Sequence, residues 1–571
     1  MKELILNGTH IVLPAEFKNT FVEENPVLTK NGEYTLDINI SLNNAVNAVF
    51  FAHINRFNIE KNKTISSAIL IVDNKVKLNG TAEIMQVDNN TVTVQLLSGN
   101  SELNYLCDEN LMMSAIDFGT AGGPVTLEIA VDANSKKWPE TNFCCARNNI
   151  GEVLYNRIYK FYNTQTHVST WMEDGVVNYN IQPFLMYYFK KVIEYLGYTI
   201  TLNILDDDEF FDRLIIFSNV VSLDYNDLFP DWTVKKFLEQ IETLGNIIYV
   251  IDKTDKTIRI MRSASFYNTA GTCSVPDKDI KDDYLTEVDD NDYGKLNYKK
   301  IKYNLDDSEF SKYQCISDEV LKIASIETYS NFAALLAAYP NDSARQLAFG
   351  TLKMFHVYNT SNYYIIKDYG NGTYYFKLIN IFKEWNTGTE KDTFLELDII
   401  PVEIIGAYIA YIDSVSQNED PVTDINTSIL NGVTEPDKAT ILRVGFQLGF
   451  TVIGGAINPD ANAGYNIATT DCYKLLANGA SEALISDINF WLSLRFNTAF
   501  GLYARYYSEA LTIDSSRKWT IYFRWRNNYD VRNYFIFKNK KFYCEKIETD
   551  GDSDNNGGFV TGSFFPCNNT F

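Results

Sequence analysis

Residues able to carry out chemistry are scattered along this chain and form no known motif. The four histidines stand far apart, without the i+2 or i+4 pairing that metal sites on one strand or helix use; they are His10, His53, His167 and His356. The sequence contains no phosphate-binding glycine loop, hydrolase nucleophile elbow or dinucleotide-binding glycine motif. We therefore predict no catalytic, cofactor-binding or metal-binding residues, and a protein that is not an enzyme.

Two acidic runs come nearest to a reactive or metal-binding group. Asp206–Glu209 is the densest cluster of carboxylates, but consecutive side chains point in different directions, which favours a solvated loop over a paired acid–base site. The alternate aspartates of Asp550–Asp554 imitate the start of a calcium loop. Its sixth position is Asn555 instead of glycine and its twelfth is Thr561 instead of glutamate, so the ligand set is incomplete.

Aromatic side chains cluster at Tyr503–Tyr507 and Tyr522–Arg526. At alternating strand spacing, half of these side chains would face a core and half would face solvent, which suits structure or a protein interface. Stacking on sugars is the alternative use of such residues, with Tyr507 and Trp525 as the side chains to test.

The composition indicates a large, acidic and β-rich protein. The 571 residues include 37 Tyr and 36 Phe, and strands favour aromatic and β-branched residues. The formal net charge of −23 argues against binding to duplex nucleic acid or to an anionic membrane, because both need a basic surface. An acidic wall can still surround nucleic acid that passes without binding.

Cysteine spacing and hydropathy indicate the compartment. The eight cysteines include no CxxC pair, and the adjacent Cys144 and Cys145 cannot bridge each other without strain. We expect reduced, mostly buried thiols in a protein assembled in cytoplasm. The first residues do not form a signal peptide, and no apolar run reaches the length of a membrane span. We therefore expect a soluble protein that is not exported by the ordinary route.

The stretch from Asp227 to Arg262 carries the clearest local pattern. Apolar residues at positions 234, 237, 238, 241 and 244 have helical spacing. They predict a helix with Asp231 as its N-cap and Gly245 as its left-handed C-terminal residue. Asn246–Ile251 and Thr257–Met261 then predict the two strands of a hairpin.

A fainter copy of this unit lies upstream. A predicted helix over Ile181–Leu196 ends at Gly197 and is followed by a predicted strand over Tyr198–Leu205. Two helix–glycine–strand units in tandem predict a small α+β domain at 166–265. Chance similarity between two amphipathic helices is the alternative explanation.

Shorter patterns predict further elements. Strands dominate residues 1 to 100, including Ala48–Ile54 and Val76–Val87, and another strand is expected over Val125–Val131. Phe332–Ala338 and Ser343–Phe355 predict two helices.

These elements predict a mixed α+β, β-rich fold in five regions. The predicted regions are an antiparallel β domain at 1–165, the α+β domain at 166–265, a second β-rich domain with short helices at 266–411, a linker at 412–439, and a C-terminal β-rich module with a mobile tail at 440–571.

The order of parts resembles the tail hub, or baseplate hub, proteins of tailed bacteriophages, as found at the tail tip of phages and prophages of Bacteroides-like gut bacteria. The residues that carry the resemblance are Phe51–Arg56, Val94–Leu103, Leu228–Phe237 and the strands closing at Leu395–Val402. It covers roughly residues 1–105 and 180–402 and includes no catalytic motif.

The resemblance implies a structural virion protein of the tail tip, assembled in the host cytoplasm. Two tube-like antiparallel β domains per subunit would form a ring, usually a homotrimer, with pseudo-sixfold symmetry that matches a hexameric tail tube. The ring would connect the tail tube protein to tip or fibre proteins and let DNA pass without specific binding. No cofactor is implied. The region after residue 420 departs from the family pattern, and its role stays open.

Two other classes of function remain. A carbohydrate-binding adhesin of the tail tip or cell surface would use the aromatic residues and the C-terminal β module. A polysaccharide-degrading enzyme has only undirected carboxylates in its favour.

Overall fold

The computed structural model confirms the predicted mixed α+β, β-rich class. Among the described residues, no helix is long and apolar enough to cross a membrane. The structure describes residues 2–567 except 16, 19, 60–63, 73, 108–109, 152, 164, 167, 253, 268–269, 287–299, 305–324, 352, 358–362, 369–371, 380–383, 387–394, 406–408, 413–441, 453–463, 470–474, 478–480, 484–491, 495, 497–500, 509–512, 514–516, 527–528 and 550–557. Residues 413–439 of the predicted linker and the calcium-like aspartates lie outside the described residues.

Residues 2–98 form an antiparallel sheet around an aliphatic core and are called the N-terminal β unit below. In the strand Thr91–Ser98, every second residue from Thr91 to Leu96 is buried, as a sheet with one covered face requires. The elements are β1 (Lys2–Leu6), β2 (Thr9–Ile11), β3 (Phe21–Glu24), α1 (Pro26–Thr29), β4 (Glu33–Thr35), β5 (Ile38–Ser41), α2 (Ala45–Phe50), β6 (Thr64–Val72), β7 (Lys75–Val87) and β8 (Thr91–Ser98).

Helix α2 replaces the strand predicted over Ala48–Ile54, and that prediction is wrong. The Asn44 side chain accepts a hydrogen bond from the Val46 amide and so caps the helix at its start. A short apolar run does not distinguish a buried strand from a buried helix by its periodicity. Within the unit, the predicted strand Val76–Val87 is confirmed as part of β7.

Residues 99–271 form a central α+β block with a large core that is rich in aromatic residues. Its helices are α3 (Gly99–Leu106), α4 (Leu127–Asn134), α5 (Leu185–Tyr195), α6 (Glu209–Asp212), α7 (Val234–Gly245) and α8 (Ser263–Phe266). Its strands are β9 (Phe143–Cys144), β10 (Asn148–Ile150), β11 (Val153–Tyr155), β12 (Ile158–Asn163), β13 (Val168–Glu173), β14 (Gln182–Pro183), β15 (Thr199–Asn203), β16 (Leu214–Phe217), β17 (Ile247–Ile251) and β18 (Thr257–Arg262). The strand predicted over Val125–Val131 is wrong, because α4 occupies most of it.

The helix–hairpin unit is confirmed, with corrected ends. Helix α7 is capped by Thr233, whose hydroxyl accepts from the Lys236 amide, and not by Asp231. The left-handed residue after the helix is Asn246 (φ 45°) rather than Gly245. In the upstream copy Gly197 does adopt a left-handed conformation (φ 80°). Strands β15 and β17 both pair with β18, so the two units share one three-stranded sheet.

After the block come β19 (Thr272–Val275) and β20 (Ile280–Thr286), and then an insertion over residues 300–507. Some inserted strands form small sheets of their own, whereas Ile409–Ile412, Leu442–Val452 and Gly464–Thr469 pair with β10, β16 and β12 of the central block. The inserted strands are β21 (Lys300–Tyr303), β22 (Ser325–Tyr329), β23 (Lys353–Val357), β24 (Tyr363–Asp368), β25 (Tyr374–Ile379), β26 (Glu384–Asn386), β27 (Leu395–Leu397), β28 (Ile399–Pro401), β29 (Glu403–Ile405), β30 (Ile409–Ile412), β31 (Leu442–Val452), β32 (Gly464–Thr469), β33 (Leu475–Ala477) and β34 (Ser481–Ala483).

Two helices of this insertion pack on the four-stranded sheet β22–β23–β24–β25 and share a separate core with it. Helix α9 (Phe332–Ala338) matches the predicted helix and confirms it. Helix α10 (Asp342–Phe349) confirms only the first part of the helix predicted over Ser343–Phe355, because Lys353 already begins β23.

The last strands return to the start of the chain. They are β35 (Lys518–Arg524), β36 (Tyr534–Phe537), β37 (Lys540–Thr549) and β38 (Phe559–Pro566). Together with β19 and β20 they surround an aromatic core and are called the C-terminal β unit below. One continuous path runs β2-β1-β6-β7-β8-β4-β3-β37-β38-β35-β20, so both β units belong to a single fourteen-stranded sheet.

Candidate functional site

The two β units meet at an antiparallel pairing of β3 with β37. Val22 lies opposite Glu548, and Glu24 lies opposite Lys546. Thr549 extends the seam, because its hydroxyl accepts from the Phe21 amide at 2.8 Å and donates to the Phe21 carbonyl at 3.0 Å. Segments more than 500 residues apart in the sequence are thus joined by main-chain hydrogen bonds.

The buried residue Asn25 stabilises the junction of the two β units, which is the pairing of β3 with β37. The residue is fully buried, and its amide nitrogen donates to the carbonyls of Cys544 (2.8 Å) and Val531 (3.1 Å) and to the Tyr267 hydroxyl (2.7 Å). Its side-chain oxygen accepts from the Val27 amide and caps α1. One asparagine therefore binds both β units and the end of the central block, and its loss would remove a buried donor from each of these contacts.

A buried ion pair lies beside the junction. Arg532 contacts Glu33 at 3.5 Å and donates to the Ile251 carbonyl at 3.2 Å. Burial alone would lower the pKa of the Arg532 guanidinium, but the charges of Glu33 and Asp530 outweigh it and raise that pKa. Arg532 thus stays charged while it connects the two β units to strand β17.

Tyr34 on β4 lies near the same seam. Its hydroxyl donates to Glu24 at 3.0 Å. Burial, together with the charge and hydrogen bond of Glu24, raises the pKa of Tyr34 to about 12. This phenol therefore acts as a neutral donor at the junction and has no character of a general base.

The fourteen-stranded sheet that contains both β units is called the joined sheet below. Its two ends differ in how their edge strands are covered. At the β2 end, Asn47 accepts from the Val12 amide at 2.9 Å and donates to the carbonyls of Val12 and Ser41, each at 2.9 Å. At the other end, β20 pairs with β35 on one side, and no described strand pairs with its outer side. Tyr284 and Leu285 on β20 are 56% and 51% exposed. The sheet therefore has one end held by Asn47 and one uncovered end, whose edge strand carries exposed apolar residues as well as charged ones.

The negative charge of the chain lies outside the two β units. Residues 1–98 carry eight Lys and Arg against ten Asp and Glu. Residues 272–286 and 518–566 carry ten of each. The two units thus account for −2 of the net charge of −23, and the rest lies in residues 99–271 and 287–517.

Three of the four histidines lie within the described residues, and each is on a different element. His10 is exposed and lies 3.9 Å from Glu3, and His53 lies in the turn after α2. His167 lies outside the described residues, and His356 belongs to β23 in the insertion. Within the described residues, no three His, Cys, Asp or Glu side chains are arranged to hold a metal ion.

The acidic run Asp206–Glu209 is more than a solvated loop, and that prediction is wrong for Asp208. Asp208 is buried, caps α6, and accepts hydrogen bonds from Arg262 (2.6 Å), Arg505 (3.1 Å) and the Tyr506 hydroxyl (2.9 Å). Two guanidinium groups on one carboxylate form a structural ion cluster that ties α6 to the segment before β35. Sequence reasoning missed it because its partners lie 54 and 297 residues away.

The alternating strand pattern predicted for the two aromatic clusters is present in only one of them, on β35, where Phe523 is buried and its neighbours Tyr522 and Arg524 are not. Tyr503–Tyr507 forms one turn of π-helix, so the alternating strand spacing predicted there is wrong. Tyr507 is buried and donates to the Thr243 carbonyl, which removes it as a sugar platform. Trp525 packs against the core of the C-terminal β unit. Tyr522 is the exception, because it lies on the outer face of β35, half-buried.

The described cysteines are free thiols. Cys144 and Cys145 are fully buried, and burial raises the pKa of each thiol. Burial also raises the pKa of Cys107 to about 12. These thiols are protonated at neutral pH and lack the electropositive surroundings of a reactive cysteine. Cys315 and Cys472 lie outside the described residues.

Comparison with known proteins gives a distant likeness among solved structures. No family model matches the sequence, and no curated protein matches it. Among solved structures, the chain is similar to the 43 kDa tail protein of prophage MuSo2 from Shewanella oneidensis. The alignment covers 99% of this chain and 95% of that chain, with 8% identity and a TM-score of 0.30. At that TM-score the likeness assigns neither a fold nor a function.

Proposed function

We propose that this chain is a non-enzymatic structural protein of a bacteriophage tail, and that three copies form a hub ring at the tail tip. The ring would connect the tail tube to tip or fibre proteins and let DNA pass through its centre. The observation that carries the proposal is the joined sheet, in which two β units of similar size stand side by side in one subunit.

The joined sheet suits a ring because its two ends differ. A contact between two different surfaces of neighbouring copies is heterologous and closes into a ring when the rotation fits. The uncovered β20 end, with Tyr284 and Leu285, can meet the capped β2 end of the next copy. Three copies would then place six β units around one axis, matching a sixfold tube.

The charge distribution is compatible with DNA passage. The sequence alone favoured an acidic wall, but the β units that would form the ring are nearly neutral. Stable binding to the DNA backbone needs many Lys or Arg residues on one face. A wall with balanced charge has no excess of Lys and Arg, so it would attract the DNA backbone only weakly.

The test is the native mass of the full-length protein, followed by electron microscopy of the particles. We expect a trimer of 65.2 kDa subunits with a central hole. The double variant Tyr284→Asp, Leu285→Asp adds charge to the β20 end and should convert the ring to monomers. The control is Leu347→Asp on α10, also strongly exposed but remote from the joined sheet, which should leave the mass unchanged.

Other results would contradict the proposal. A closed dimer without a central hole is incompatible with a threefold ring. A ring that survives the β20 double variant would retain the hub role but would exclude this end of the sheet as its contact.

A carbohydrate-binding adhesin is the second candidate, and one surface favours it. On the outer face of the C-terminal β unit, the Lys281 ammonium lies 3.8 Å from the centre of the Phe559 ring, and Tyr522 stacks beside that ring at 5.4 Å. Half-buried aromatic rings flanked by a cation can bind an acidic sugar. A glycan array with wild type and Tyr522→Ala would test it, and a blank array would exclude this surface as a glycan site.

A further inference from the structure

Strand β15 is an edge without a partner among the described residues. It pairs in parallel with β18 on one side, and this side extends to Ile204, whose amide donates to the Ile260 carbonyl at 3.1 Å. No described strand pairs with its other side. The outer main-chain groups of Thr199–Ile204 therefore point away from the three-stranded sheet.

This edge has only one of the devices that usually prevent strand addition. Soluble proteins protect edges with charged residues, proline, bulges or a covering loop. Thr199–Ile204 contains neither a charged residue nor proline, and a bulge between Ile200 and Leu202 is its one such device. By contrast, β20 carries Lys281, Asp282 and Asp283, and the β2 end is capped by a buried asparagine.

Apolar side chains are concentrated along the same edge. Leu202 is 44% exposed, Ile204 is 38% exposed, and Tyr195 at the end of α5 is 51% exposed. All three lie within ten consecutive residues. Grouped apolar exposure of this kind marks an interaction surface, whereas single exposed apolar residues are ordinary.

The C-terminal end of the edge is acidic. Asp206 accepts a hydrogen bond from Asn203 at 2.7 Å, and Asp207 beside it is exposed, whereas Asp208 turns inward to its arginines. A partner strand would thus meet a neutral apolar stretch followed by one or two free carboxylates. The complementary partner is neutral along most of its length and carries a Lys or Arg at the end that reaches Asp207.

We propose that β15 is a docking edge for an extended segment of another protein, which adds to the sheet as a fourth strand. Main-chain hydrogen bonds supply the affinity, and alternate side chains of the segment contact Leu202 and Ile204. A terminal Lys or Arg of the segment pairs with Asp207. This inference does not depend on the hub ring, because β15 lies outside the joined sheet.

The probe is a fluorescein-labelled peptide, Lys-Thr-Val-Thr-Val-Thr-Lys, whose two lysines make its direction irrelevant. Its binding to the full-length protein is followed by fluorescence anisotropy. We expect saturable binding that is abolished when alternate peptide nitrogens are methylated on the pairing side, because those amides can no longer donate. The same peptide with aspartate at both ends should bind about two- to fivefold more weakly, as expected of one exposed ion pair.

Three variants locate the binding. Leu202→Lys places a charge on the edge and should weaken binding about tenfold or more. Asp207→Lys should reverse the preference, so that the aspartate-ended peptide binds more tightly than the lysine-ended one. Leu347→Lys, on a remote exposed position of α10, is the matched control and should bind like wild type.

Three results would overturn the inference. These are no saturable binding, equal binding of the methylated peptide, or equal loss of binding in the Leu347→Lys control. A further contrary result is a dimer that dissociates on Leu202→Lys and is unaffected by the peptide, since the edge would then be occupied by a second copy of this chain. If Leu202→Lys alters folding, the test still holds, because Asp207→Lys and the two peptides with lysine or aspartate ends report the charge preference independently.

Discussion

The two β units have similar architecture but different cores. The core of the N-terminal β unit is aliphatic, with Phe51 as its one fully buried aromatic residue among those described. The core of the C-terminal β unit is mostly aromatic, and in it Phe564 lies 4.8 Å from Phe537 and 5.2 Å from Phe535, measured between ring centres. The same sheet geometry therefore accepts either type of core.

The difference follows the way each unit is assembled along the chain. The N-terminal unit is built from consecutive hairpins within residues 2–98, whereas the C-terminal unit joins 272–286 to 518–566 across the whole insertion. Closing a loop of that length costs about 5 kcal/mol of chain entropy in the simple polymer model. Aromatic pairs add about 0.5–1.5 kcal/mol each beyond their buried area. Several such pairs offset the cost, which explains why the discontinuous unit is the aromatic one.

Phe564→Ala should have the largest effect. It removes a fully buried ring at the centre of the aromatic core and should lower the free energy of unfolding by about 4 kcal/mol. Hydrogen exchange in urea, measured separately on peptides of each β unit, would show the loss confined to the C-terminal unit. The control Phe559→Ala, on the outer face of the same strand, should cost about 1 kcal/mol or less. Equal losses in both units would contradict two separate cores.

Leu96→Ala should cost slightly less and act on the other unit. Leu96 is fully buried in the aliphatic core, and its truncation should lower the free energy of unfolding by about 3 kcal/mol. The same hydrogen-exchange measurement should now report the N-terminal unit. Gln95→Ala, one residue away on the opposite face, is the control and should cost only about 1 kcal/mol, because it removes one hydrogen bond to the Thr35 carbonyl and leaves the core intact. A loss in the C-terminal unit instead would show that the cores unfold as one.

Asn25→Ala tests the connection between the units. The substitution leaves the buried carbonyls of Val531 and Cys544 without their donor and should cost about 2–3 kcal/mol. Amide hydrogen exchange should become faster in β3 and in β37, on both sides of the seam. The amides of the two cores should keep their protection from exchange. Asn39→Ala, an exposed asparagine on β5, is the control. Unchanged exchange at the seam would show that the β3–β37 pairing does not need Asn25.

Tyr34→Phe should have the smallest effect and a defined pH dependence. The folded phenol keeps its proton up to about pH 12, whereas its ordinary pKa is 10.0. Because the folded state binds this proton more tightly, stability is retained below pH 10 and falls as the pH rises from 10 to 12. The variant loses about 1 kcal/mol at pH 8, from the hydrogen bond to Glu24, but lacks this alkaline fall. Urea unfolding of wild type and variant at pH 8 and pH 10.5 gives the free energy of unfolding of each protein. An equal loss of that free energy in both proteins between the two pH values would refute the prediction.

Local elements were predictable where the sequence pattern was long. Helix α9 and the β17–β18 hairpin follow directly from apolar spacing and turn residues. Short apolar runs gave wrong predictions, because they indicate strands where the structure has the helices α2 and α4. At α7 the cap moved from Asp231 to Thr233, since two good N-cap residues lie two positions apart and spacing alone does not rank them.

The junction and the ion cluster were beyond the sequence. The three acceptors of the Asn25 amide lie more than 240 residues away, and the partners of Asp208 lie at the end of the insertion or at the end of a hairpin. No local pattern encodes which distant strand an edge will choose. The predicted absence of catalytic residues and the five-region division both remain predictions.

The β3–β37 seam has a consequence for synthesis on the ribosome. Strand β3 leaves the exit tunnel early, but its partner is translated more than 500 residues later. At about 5–20 residues per second, that delay is roughly 25 to 100 seconds. Throughout this time β3 presents an unsatisfied edge to the neighbouring nascent chains of the same polysome. A chaperone that covers the first hundred residues would therefore determine the yield of correctly joined sheets.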